Sequence, residues 1–223
     1  MTIDLTWLGH SGFLLRGKAA TVAIDPFLTG NPRAPFTADQ VVCDAIALTH
    51  GHDDHVGDTV AIARRTNATV FGVFELCNFL AEQGVVHTEP GNPGGRIVAS
   101  WGWVAFTQAF HSSSSGGRYL GQPAGVVVHL DGVTCYHCGD TGLFGDMKLI
   151  GEIYRPDVAM IPIGDRYTMG PDLATRAAEL IAPTIAIPIH YDTWPPIAQD
   201  VRRFAPKGIE VKAMVPGVPL TIG

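Results

Sequence analysis

Charge is scarce in this sequence. Only 16% of its 223 residues are Asp, Glu, Lys or Arg, and 15 basic residues face 21 acidic ones, for a formal net charge of −6. The basic residues form no run longer than the pairs Arg64-Arg65 and Arg202-Arg203. Nucleic-acid binders draw most of their affinity from phosphate neutralisation, so such a partner is disfavoured. Also missing is any uninterrupted apolar stretch of membrane-spanning length, and no membrane association is expected. The opening "MTIDLTWLGHSGF" places no basic segment ahead of a long apolar one, so no secretory leader is expected either. Cysteine is limited to Cys43, Cys77, Cys135 and Cys138. Without a leader, reduced thiols in a cytoplasmic protein are the expectation. The "CYHC" stretch (135–138) lacks a second C-x-x-C, and positions i and i+3 of a strand face opposite sides, so these thiols read as core residues. No repeat of solenoid period occurs and no linker divides the chain, so residues 1–223 read as one domain.

What the sequence has in quantity is apolar residues (46%), glycine (26) and proline (16). That combination suits many short strands joined by tight turns. Apolar or alternating runs predict strands near 2–8, 12–16, 20–25, 44–49, 69–73, 85–87, 96–99, 102–108, 124–130 and 133–138. Others follow near 157–162, 184–189, 209–214 and 218–222. Helical patterns cover 56–66, 75–83, 171–182 and 195–204, with Pro171 suited to a first turn and Pro183 to a stop. Two sheets packed on each other, with helices outside, accommodate this mixture.

One stretch concentrates the chemistry. "LTHGHDDHVGD" (48–58) holds three histidines and three aspartates directly after a run apolar enough to be buried on both faces. His50 and His52, two apart in extended chain, project to the same side, while Asp54 and His55 approach from the turn into a helix. Imidazole and carboxylate are the ligands that zinc and similar divalent metals prefer. Further candidates close other apolar runs: His111, Asp140 and His190. One such histidine alone is more often structural. The joint pattern points to metal, and its donors outnumber what one tetrahedral ion takes, so two ions are the natural reading.

With "HGHDDH", the later His111, "GDTG" and "PIHYD", the sequence resembles the metallo-β-lactamase superfamily over nearly its whole length. Within it, the chain is most similar to the small hydrolase branch of L-ascorbate-6-phosphate lactonase, where "GDRYTMGP" and "YHCGDTGLFGDM" also look familiar. The resemblance implies an αββα four-layer sandwich, with two mixed sheets flanked by helices. It implies that His50, His52 and His111 hold a first metal, that Asp54, His55 and His190 hold a second, and that Asp140 bridges them. Where Asp140 stands, true β-lactamases of the superfamily commonly have Cys. Where His52 stands, flavodiiron-type members have Glu, and the tRNA-processing nucleases carry a long arm for which this chain has no spare segment.

The function expected is therefore a metal-dependent hydrolase. A hydroxide bridging two metals, zinc or equally manganese or iron, attacks an ester, lactone or phosphoester of a small, in one variant anionic, metabolite. Asp54 and Asp140 are the catalytic candidates, Asp54 orienting the nucleophile's proton while ligating. The competing readings are a phosphodiesterase or nuclease acting on RNA or DNA and a non-catalytic metal-binding module. His10 in "LGHSG" and Asp25 in "IDPF" are candidates to support ligands or touch substrate, with a structural turn weighing as much for each. Ser112, in the "HSSSSGG" loop, and Asp165 are pocket candidates, and Arg166 with Tyr167 are candidates to bind an anionic group. His137 reads as structural or supporting a ligand, and His87 and His129 as ordinary surface or strand residues. Self-association is left open, since relatives of this type often form homo-oligomers.

Overall fold

A computed structural model describes residues 2–223. The chain runs β1 (Ile3–Trp7), β2 (Phe13–Arg16), β3 (Thr21–Ile24), β4 (Ala45–Ala47), α1 (Asp53–Val56), α2 (Thr59–Thr66), β5 (Thr69–Val73), α3 (Phe74–Glu82) and β6 (Thr88–Gly91). It continues with β7 (Arg96–Ala99), β8 (Gly102–Gln108), β9 (Ser114–Ser115), β10 (Arg118–Tyr119), β11 (Ala124–Leu130), β12 (Val133–His137) and α4 (Met147–Tyr154). The last elements are β13 (Val158–Pro162), α5 (Pro171–Ile181), β14 (Ile185–Ile189), β15 (Glu210–Val211) and β16 (Pro219–Ile222).

Two seven-stranded sheets result, with orders β16-β1-β2-β3-β4-β5-β6 and β15-β14-β13-β12-β11-β8-β7. Each is antiparallel over one part and parallel over the other, the change falling between β3 and β4 in the first and between β12 and β13 in the second. The sheets pack face to face. A single core joins Leu5, Phe13 and Ile46 of the first to Val104, Phe106, Val127 and Tyr136 of the second. Helices α2 and α3 contact the first sheet through β4, β5 and β6, while α5 lies on β13 and α4 on α5. This is the metallo-β-lactamase fold, two mixed sheets with helices outside. Strands β4 and β13, covered on both faces, are buried at every position, which is why they read as unbroken apolar runs.

Strand direction places the candidate residues. Strand β1 is antiparallel to β2 and β2 to β3, so β1, β3 and the parallel β4 all point one way. The same pairing logic aligns β8, β12, β13 and β14. His10, Asp25 and His50 therefore leave the first sheet at one edge, and His111, Asp140, Asp165 and His190 leave the second at one edge. The two edges meet: His137 Nε2 donates to Ser11 O at 2.8 Å, and Ala124 N donates to Thr49 O at 2.9 Å, both across the sheets.

Several sequence expectations are corrected. The strand near 85–87 falls later, at Thr88–Gly91, because Gly84 at φ +87 extends the turn after α3. The helix expected over 195–204 is two short 3-10 turns, Pro195–Ile197 and Val201–Arg203. Pro195 and Pro196 open this segment without backbone N–H groups, which shortens what can be built there. The helix expected over 56–66 starts earlier and breaks at Gly57, so Asp54 and His55 sit on a separate helical turn, α1. Helix α4 escapes sequence reading because Gly151 sits in its middle. That glycine is where α4 meets α5, and a Cβ there would overlap the Ile181 carbonyl. Gly151→Ala is expected to push the two helices apart and cost about 1–3 kcal/mol. The check is a lower urea midpoint with unchanged metal content.

Candidate metal centre

The structure brings His50, His52, Asp54, His55, His111, Asp140 and His190 together from five segments: the loop after β4, α1, and the ends of β8, β12 and β14. His50 and His55 are fully shielded, Asp140 and His190 nearly so, and His52, Asp54 and His111 open partly to solvent. Donor atoms of His50, His52 and His111 lie within 4.8 Å of one another, as do those of Asp54, His55, His190 and His10. His50 Nε2 is 3.0 Å from His52 Nδ1. Asp140 stands between the groups. Its Oδ2 is 3.0 Å from His190 Nε2 and 3.5 Å from His111 Nε2, and its Oδ1 is 3.4 Å from His55 Nε2.

Burial governs the electrostatics. It pushes His50 well below the usual imidazole range and lowers His52 and His111, leaving neutral rings with a free lone pair. At Asp140 burial pulls upward, but His190 and His55 outweigh it and hold the carboxyl well below its usual range. At His55 burial pulls downward, and the carboxylates of Asp140, Asp25 and Asp54 outweigh it and hold the imidazole well above its usual range. Three buried atoms of the cluster have no hydrogen-bond partner, His190 Nδ1, His55 Nε2 and Asp140 Oδ1, and the last two approach each other without bonding alignment. Such atoms cost about 1–3 kcal/mol each when unpaired. A cation beside His55 Nε2 and Asp140 Oδ1 satisfies both. Five imidazoles and two carboxylates without thiolate therefore fit a divalent metal with nitrogen and oxygen ligands.

Asp25 supports this set from behind. Its Oδ2 accepts from His55 Nδ1 at 2.7 Å and from Thr49 Oγ1 at 2.6 Å, and its Oδ1 accepts from Thr49 N at 2.9 Å. Since Thr49 gives its hydroxyl hydrogen to Asp25, it accepts from His50 Nδ1 at 3.0 Å. One buried carboxylate thus engages the Nδ1 side of both His55 and, through Thr49, His50, and turns their Nε2 atoms to the centre. Asp25, His10 and His190 are all shielded non-glycine residues at positive φ (+43, +53 and +55). Side chains held this way cost about 1–3 kcal/mol each and cluster at functional sites.

A cavity of about 270 Å³ opens onto the centre, lined by His52, Asp54, His111, Ser112, Asp140, Tyr167, His190 and Trp194. Ser112 Oγ lies 3.4 Å from His52 Nε2, and shielded Ser113 accepts from Gly51 N at 3.1 Å, pinning the His50–His52 loop. Trp194 was not singled out by sequence reading; only its place in the loop after the strand-end His190 could have drawn attention to it. Asp165 and Arg166 are not among the lining residues: both are exposed, with Arg166 stacked 5.6 Å from the Tyr167 ring centre. His137 is shielded and bonded to Ser11, His129 stacks on Trp103 at 5.2 Å, and His87 is exposed. A larger groove of about 820 Å³ runs along Asp58, Arg64 and Phe79. It holds none of the clustered donors, so the smaller cavity is the one that matters chemically.

The chain matches a family model described as the β-lactamase superfamily domain over residues 4–190. It is 49% identical to a UPF0173 metal-dependent hydrolase of Carboxydothermus hydrogenoformans, over 96% of this chain and 98% of that one. It is 42% identical to another from Thermococcus kodakarensis, over 99% and 100%. Among solved structures, Igni18, a metallo hydrolase from the hyperthermophilic archaeon Ignicoccus hospitalis, superposes with a TM-score of 0.91 at 37% identity, covering 100% of this chain and 99% of that one. The metallo-β-lactamase fold protein YhfI from Bacillus subtilis shares the fold, with a TM-score of 0.73 at 15% identity and 99% coverage of both.

Asp25→Asn is expected to loosen His55 and, through Thr49, His50, weakening metal binding about 10–100-fold. Competition against a chromophoric chelator measures this; affinity equal to that of the unaltered protein would show that Asp25 does not orient the ligands.

Proposed function

Because this chain belongs to the β-lactamase superfamily and is a metal-dependent hydrolase of its metallo fold, we propose that it cleaves an ester or lactone of a small uncharged metabolite at a two-metal centre. The observation that carries this reading is the cavity lining. No Lys or Arg is among its residues, and besides the metal donors it is lined by Tyr167, Trp194 and Ser112. A site built for a phosphoester or carboxylate substrate ordinarily offers it a guanidinium or ammonium. An uncharged acyl compound suits such a lining better than a phosphorylated or polynucleotide one.

His50, His52 and His111 would hold one ion and Asp54, His55 and His190 the other, with Asp140 shared; bound there, the ions supply Lewis acidity and lower the pKa of a water from ~15.7 towards ~7. Zinc suits the donors best in this reading, with manganese or iron as alternatives. The side chains do the rest. Asp54 lies at the cavity wall, where its carboxylate orients the nucleophile's proton. Tyr167 and Trp194 bracket the apolar part of the substrate and exclude water from one side. The hydroxyls of Ser112 and Tyr167 are available to the leaving oxygen.

A panel of uncharged aryl esters, lactones and phosphodiesters, assayed with Zn²⁺ or Mn²⁺, tests the reading. Esters or lactones are expected to be turned over at least ~10-fold more efficiently, a transition-state preference of about 1.4 kcal/mol. Arg166→Ala is expected to leave that ranking unchanged. A preference for phosphodiesters would give the site to phosphoester chemistry, and no turnover by metal-loaded protein would favour a non-catalytic module. Trp194→Ala, by removing a ring contact of about 1–2 kcal/mol, is expected to raise KM for an aryl ester roughly tenfold.

A further inference from the structure

His10 is the most constrained side chain beside the centre that the two-metal reading leaves without a task. It follows β1 in a tight turn and is fully shielded. Its carbonyl accepts from the Trp7 indole at 3.0 Å and from His190 N at 3.0 Å, tying the turn to the end of β14. Its ring is held by Phe27 and Trp194, with centroids 5.9 and 5.0 Å away, and lies 4.1 Å from the ring of His190.

Both ring nitrogens are engaged. Nε2 is 3.0 Å from Asp54 Oδ2, and Nδ1 is 2.7 Å from Thr193 Oγ1. An ionised carboxylate only accepts, whereas a hydroxyl can give or take. Nε2–H therefore donates to Asp54, and Thr193 can complete the chain by donating to Nδ1. The oxygen that receives this bond is the one facing the second group of donors, 3.8 Å from His190 Nε2 and 3.9 Å from His55 Nε2. Thr193 is itself shielded, and its neighbour Trp194 lines the cavity. His50, His52 and His111 make no hydrogen bond with this pair.

We propose that Thr193 and His10 form a positioning relay that fixes the Asp54 carboxylate and thereby sets the affinity of the second ion, the one held by Asp54, His55 and His190. The relay rests on the two-metal reading and extends it to residues outside the ligand set. It acts on one ion and leaves the other alone. A merely structural histidine would weaken both together or neither.

The test is Zn²⁺ binding by the full chain, read as metal content after desalting and as two dissociation constants from chelator competition. The unaltered protein is expected to take up two ions. His10→Ala is expected to weaken one of them about 10–100-fold and to spare the other. His10→Gln, whose amide N–H can replace Nε2–H, should regain most of the loss. Thr193→Val, of nearly the same volume, should weaken the same ion by a smaller factor, and Thr193→Ser should not. Unchanged affinities in His10→Ala and Thr193→Val overturn the relay. So does equal weakening of both ions, or a His10→Gln variant no better than His10→Ala. Should His10→Ala fold poorly by circular dichroism, the Thr193→Val and Thr193→Ser pair decides alone. If the unaltered protein takes up only one ion, the two-metal reading falls and the relay with it, a failure visible before any variant is made.

Discussion

The Asp140 carboxylate is buried where the two sheets meet, and its charge is the constraint around which the site is built. A buried carboxylate without a counter-charge is costly enough that proteins either neutralise it or surround it with partners. Here the partners are imidazoles, His55, His190 and His111, each within 3.5 Å. The rings in turn are held from behind, His55 and His50 by Asp25 and Thr49. Charge at the centre thus propagates outward as a demand for hydrogen bonds, which Asp25 and Thr49 meet at His55 and His50.

The scaffold makes the arrangement possible by direction. Strands that point one way deliver their ends to one edge, so residues far apart in sequence arrive together without long loops. Close approach of the sheets also matters. Gly139, just before Asp140, takes φ +63, and a Cβ there would stand 2.8 Å from the Ala124 carbonyl. No side chain fits, and glycine is what lets the Asp140 turn pass beneath β11. His10, Asp25 and His190 accept a backbone conformation that most residues avoid, and each uses it to turn its side chain into the cluster rather than along its strand.

The cavity lining holds carboxylates and imidazoles but no Lys or Arg. In the proposed reading, cations held by these donors would be the principal positive charge a substrate meets, and selectivity would fall to shape and aromatic surface. Trp194 serves both sides, facing the cavity and packing on the ring of His10. The cavity wall and the packing around His10 are therefore parts of one loop, residues 191–194.

Much of this was legible in the residues. The spacing of His50, His52, Asp54 and His55 after a run of buried character announced a cluster able to hold metal, because donor type and periodicity are local properties. The strand-end positions of His111, Asp140 and His190 were legible for the same reason, and so were most strands, whose apolar runs record burial on one or both faces. Helix α4 was not, since its stability comes from packing Gly151 against α5 rather than from propensity. Nor was the β9–β10 hairpin, whose serines and glycines carry no alternation. Only the folded chain decided that Asp165 and Arg166 stay outside the cavity while Thr49, Thr193 and Trp194 take part. Those outcomes depend on contacts across the sheets and between strand-end loops, and such contacts are a property of how distant segments meet, which no single stretch of sequence encodes.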